Sequence, residues 1–107
     1  MSVLADIEPT STWYLLLGAG LFSIGALGLM VRRNPLVMFM CVELMLNAVN
    51  LSFVALARDL ADISGQTVVV FVLVVAAAEV VVGLGIIVAL LRKRPDATAD
   101  DLTVLKG

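Results

Sequence analysis

Two carboxylates fall inside stretches that otherwise read as lipid-soluble. Glu43 lies in the apolar run 36–57 and Glu79 in the apolar run 67–91. Placing an ionisable group at the centre of a membrane helix costs roughly 2.5–3.5 kcal/mol on insertion scales. Without a cation beside it, a carboxylate in lipid favours its neutral form. A group that holds a proton there and can release it is what a proton relay requires. At helical spacing Asn47 and Asn50 follow Glu43 at i+4 and i+7, within roughly 60° of it around the axis. That polar stripe offers hydrogen bonds to water or to a partner helix. If instead the glutamates only tie helices together, the gain is roughly 0.6–2 kcal/mol per bond, less than the cost of inserting them. Asparagine does that job more cheaply, and packing is the reading for Asn47 and Asn50.

The composition says what must position these groups. The chain has 107 residues, 62% of them hydrophobic, a net charge of −2 and a mean hydropathy of +1.11. Charged residues make up 15%, where a soluble domain carries about 25%. Three long apolar runs take up most of the length, which leaves no room for a separate soluble domain. The expectation is an all-α integral membrane protein, a single three-helix domain over residues 1–107 with spans at about 13–31, 36–57 and 67–91. Three spans cannot close a barrel, and in lipid only helices or closed barrels satisfy the backbone. With no histidine and a lone cysteine, Cys41, no metal site can be argued from the sequence, and an internal disulfide is ruled out. No glycine-rich phosphate loop and no basic patch is present, which argues against nucleotide and nucleic-acid binding.

Residues 1–12 are a short acidic lead-in without the basic start of a cleavable signal, so the first run reads as a retained anchor. Trp13 and Tyr14 stand where an aromatic belt forms. The first run carries Gly18, Gly20, Gly25 and Gly28, which favour close packing against a neighbouring helix. Arg32, Arg33, Asn34 and Pro35 form a basic turn, with proline suited to the first turn of the next helix. Residues 58–66 read as a polar loop, and Arg92, Lys93, Arg94 and Pro95 end the third run before a short polar tail, 92–107.

Orientation follows from the basic residues. Arg32, Arg33, Arg92, Lys93, Arg94 and Lys106 lie on one side and Arg58 on the other. The positive-inside rule then puts the C-terminus in the cytoplasm and the N-terminus outside. Glu43 lies eight positions beyond Pro35, roughly 12 Å into its helix, and Glu79 is close to mid-membrane. The two acids are therefore close in depth. No basic residue of the chain reaches them, and three helices cannot surround them, which implies an obligate subunit of a larger assembly.

One family shares this order of features: Arg32-Arg33-Asn34, Glu43 followed by Asn47-Ala48 and Asn50, Gly65-Gln66, Ala76-Ala77-Ala78-Glu79 with Gly83, and a tail ending Leu102-Thr103-Val104-Leu105-Lys106-Gly107. The chain resembles the K subunit of proton-pumping NADH:quinone oxidoreductase, respiratory complex I, over nearly its whole length. The resemblance implies a three-helix subunit of the membrane arm, set in a bacterial plasma membrane between the J subunit and the antiporter-like N subunit. It implies that Glu43 and Glu79 belong to the proton-carrying chain of charged residues along that arm. Arg32 and Arg33 match the family's cytoplasmic-loop arginines. It further implies no cofactor in this subunit, with NADH, FMN, iron–sulfur clusters and quinone bound by other subunits. The lead-in before Trp13 takes no role from the resemblance. The C subunit of multi-subunit sodium/proton antiporters shares the fold but lacks acids at these two positions, whereas K-like subunits of membrane-bound hydrogenases can keep them. A small multidrug exporter needs four spans, and the ATP synthase rotor subunit has two.

Overall fold

The structure is a computed structural model, and it describes residues 10–61 and 63–100. The lead-in before Thr10, Asp62 in the second loop and the last seven residues of the tail lie outside the described residues. Three helices follow one another: α1 (Ser11–Val31), α2 (Pro35–Asp59) and α3 (Ile63–Lys93). Each is long and apolar enough to cross a membrane, and no strand occurs among the described residues. The three expected spans are all present.

Every helix end except that of α1 at Val31 lies beyond the span read from polarity, most of all at the second loop. Helix α2 continues through Arg58 to Asp59, and α3 starts at Ile63 and winds through Ser64 and Gln66. Polarity marks where lipid ends, whereas a helix stops only when its hydrogen-bond ladder is broken. At 1.5 Å per residue, the 31 residues of α3 span roughly 46 Å, more than the 30 Å of hydrocarbon, so α3 protrudes or tilts. Three hydroxyls bond within their own helix: Ser23 donates to the Ala19 carbonyl, Ser52 to Ala48 and Thr67 to Ile63.

The α1–α2 turn is closed by its own residues. Asn34 caps α2, its side-chain oxygen accepting from the amides of Leu36 at 2.9 Å and Val37 at 3.4 Å. Asn34 itself is extended (ψ 122°), as the residue before a proline must be, and Pro35 takes the first helical position. At the far end of α2, Leu60 donates to the Leu56 carbonyl, and Ala61 follows at φ 49° in the left-handed region.

The middle helix packs on both others. Gly18, Gly25 and Gly28 of α1 bring its backbone against α2. A Cβ at Gly18 would lie 2.8 Å from Ser52 Oγ and 3.2 Å from the Ala48 carbonyl oxygen. One at Gly25 would lie 2.8 Å from the Cys41 carbonyl oxygen, and one at Gly28 2.6 Å from Cys41 Sγ. Gly20 faces open space. Ser11 adds a hydroxyl hydrogen bond to the Ala55 carbonyl at 3.4 Å. Against α3 the contacts are fewer: Phe39 fills the space at Gly83, and Ala57 the space at Gly65. Most large apolar side chains of all three helices point outward, as they must where the solvent is lipid or another subunit.

Candidate functional site

Both carboxylates belong to the α2–α3 pair. Phe39 lies against Gly83 and Ala57 against Gly65, so each step up α2 matches one step down α3. The residue level with Glu43, four beyond Phe39, is therefore Glu79, four before Gly83. The helices thus carry the two acids at the same height, closer in depth than counting from the helix ends indicates. Glu79 is sixteen residues from the start of α3 and fourteen from its end, far from either surface.

Their sides differ. Glu43 is half-buried and Asn47 exposed, and both line a groove of about 540 Å³ between α2 and α3. Leu36, Met40, Val80 and Leu84 form its apolar walls, with Phe39 at its floor. Glu79 is exposed and does not line that groove. Measured from Gly83, Val80 and Leu84 turn about 60° and 100° to one side, while Glu79 turns about 40° to the other. The two acids flank the helix contact from opposite sides. Within this chain alone neither is enclosed, and Glu79 least of all.

The asparagine stripe divides in the same way. Asn50 is 8% exposed. It shares a face with Phe39 and Ala57, eleven residues after one and seven before the other, so it is turned towards α3 between the two close contacts. Asn47 stays open in the groove beside Glu43. Every described lysine and arginine lies at a helix end or beyond, so none of them stands beside either acid in mid-helix. Arg32 and Arg33 are exposed in the turn between α1 and α2. The tail comes back to this turn: the Ala99 amide donates to the Arg33 carbonyl at 2.9 Å, and Ala97 is buried. Among the described residues no three metal-ligating side chains come together.

Comparison with known proteins decides the family. The family model of NADH-ubiquinone/plastoquinone oxidoreductase chain 4L matches residues 13–107. The chain belongs to this family. It is 55% identical over 94 residues to a protein from Koribacter versatilis (strain Ellin345) named NADH-quinone oxidoreductase subunit K 2, covering 88% of this chain and 91% of that one. The family match begins at Trp13, the residue after the acidic lead-in. Chain 4L and subunit K are both subunits of a multi-subunit oxidoreductase, and the three apolar helices make this chain an integral membrane member of it.

Sequence reading missed the Asn34 cap and the return of the tail to the arginine turn. The first had a signal, since asparagine before proline at the start of an apolar run is a helix-start pattern. The second had none, because one backbone hydrogen bond leaves no mark in side-chain pattern.

Proposed function

We propose that this chain takes part in proton translocation coupled to quinone reduction, with Glu43 and Glu79 as successive proton-holding groups. One observation carries the reading: the α2–α3 register sets both acids at one depth, on opposite flanks of a single helix contact. A proton carrier that hands on charge along a membrane needs stations at one level facing different neighbours. Two structural glutamates bonding to one partner would share a flank.

In this reading the subunit lies in the membrane arm between the J subunit and the antiporter-like N subunit, which supply the walls that three helices cannot. The N-terminus faces outward and the C-terminus the cytoplasm of a bacterial cell, with Arg32 and Arg33 on the cytoplasmic side. The subunit contributes no redox centre. Quinone reduction elsewhere changes the hydration and field around the two acids, and their proton affinities shift in turn. Asn47, open beside Glu43, is placed to hold water in the groove, and Asn50 keeps α2 and α3 in register.

The test uses membranes carrying Glu43→Gln, with assembly checked on a native gel and NADH:quinone turnover and the proton gradient followed together. Glutamine keeps size and hydrogen bonding but cannot ionise. Loss of both signals in an assembled complex is the expected result, with Glu43→Asp restoring part of each. Full pumping by the assembled Glu43→Gln complex overturns the role of Glu43.

A further inference from the structure

The face of α3 turned away from α2 carries a feature that proton transfer does not use. Val81, Gly85, Val88 and Arg92 follow at i, i+4, i+7 and i+11, which lines them up along one face. That face holds a shallow groove of about 670 Å³, with Ala89 beside it and Arg92 and Lys93 at one end. Gly85 lies in the groove and faces open space: a Cβ there would meet nothing within 4 Å. No carboxylate lines it, and the nearest acid after it in sequence is Asp96. Both cations are exposed.

Membrane topology and the helix dipole account for having cations at the end of α3. They do not account for a shallow apolar groove along the helix face that ends at those cations. A helix from another subunit would have to bring acids of its own to the end of its path to meet them. An anionic phospholipid answers both parts, since its acyl chain is apolar and its phosphate accepts from guanidinium and ammonium groups at the depth where such side chains reach the interface.

We propose that the outward face of α3 is a binding site for an anionic phospholipid, with one acyl chain in the groove over Gly85 and the phosphate held by Arg92 and Lys93. Each cation near a membrane surface is worth about a fivefold preference for anionic lipid. Gly85 sets the seat of the chain, and Ala89 keeps the path clear below the cations.

The experiment places the assembled complex in vesicles containing a photoactivatable phosphatidylglycerol or the matching phosphatidylcholine, and maps labelled peptides of this chain. The wild-type complex is expected to label on residues 81–89, with the anionic probe favoured by at least tenfold. Arg92→Gln with Lys93→Gln should bring that ratio close to one, and Gly85→Leu should lower labelling by both probes several-fold. The native gel that reports assembly is run on each variant, and wild-type competition with unlabelled phosphatidylglycerol keeps the test independent of any variant that fails to assemble. Equal labelling by the two probes overturns the site. So does displacement of the anionic probe by inorganic phosphate alone, or labelling of another subunit's helix in place of lipid on this face.

Discussion

Against α1, helix α2 presents Cys41, Met45, Ala48 and Ser52, and three glycines come up to them until backbone nearly meets backbone. Against α3 it presents Phe39 and Ala57, and a phenylalanine ring stands between the helices at Gly83. The first seam carries no carboxylate and no basic side chain. The second carries both carboxylates on its flanks and leaves a groove beside one of them. Close van der Waals packing is what joins helices in lipid, where no hydrophobic drive distinguishes a neighbour from a tail. The difference teaches that α1 and α2 are joined by close packing along much of their length, while α3 meets α2 at fewer points, and it is beside those that the two acids stand.

Filling the tight seam should do the most damage. Gly25→Ala puts a methyl group 2.8 Å from a backbone oxygen that cannot swing away, so α1 must move. Overpacking of this kind costs about 1–3 kcal/mol. The cost is read as a lower midpoint when the full chain is unfolded in mixed SDS micelles and followed by circular dichroism. A midpoint equal to that of the wild type would show that the seam is not close-packed.

The same change at the looser seam should cost less. Gly83→Ala meets the Phe39 ring at 2.6 Å, and a side chain can turn aside. The expected loss is under about 1 kcal/mol, and Phe39→Leu should recover most of it by removing the ring. If Gly83→Ala proves as damaging as Gly25→Ala, the contrast between the seams fails. The turns and open faces should show the smallest effects, with reversed sign. Ala61→Gly relieves a left-handed residue just past the end of α2, for a gain of about 1 kcal/mol. Gly20→Ala, with nothing within 4 Å, should gain about 0.5–1 kcal/mol from helix propensity alone.

Which parts of this contrast the sequence carried follows from what fixes each of them. Three membrane helices and the level of the acids were legible, because apolar length and residue counting depend on helix rise alone. Close packing of α1 was legible as a kind of contact. That Gly18, Gly25 and Gly28 meet α2 while Gly20 does not depends on how α1 is rotated, which a helix apolar on every side leaves unmarked. For the same reason Glu43 and Asn47 could be placed on one stripe, but not on the opposite flank from Glu79. The ends at Asp59 and Ile63 were not legible, since charge marks the water boundary and not the last hydrogen bond. Ala61 gave no warning of a left-handed turn, a position where glycine would have announced itself.

The central claim is that the two acids flanking the looser seam are consecutive members of one relay. The measurement that tests it most directly compares proton gradients formed by assembled complexes carrying Glu43→Gln, Glu79→Gln and both together, each normalised to its NADH oxidation rate. The account predicts a large loss in each single variant and a double variant no worse than the weaker single, because a series path once cut cannot be cut further. Losses that multiply in the double variant, or a single variant that pumps at the wild-type ratio, would contradict it.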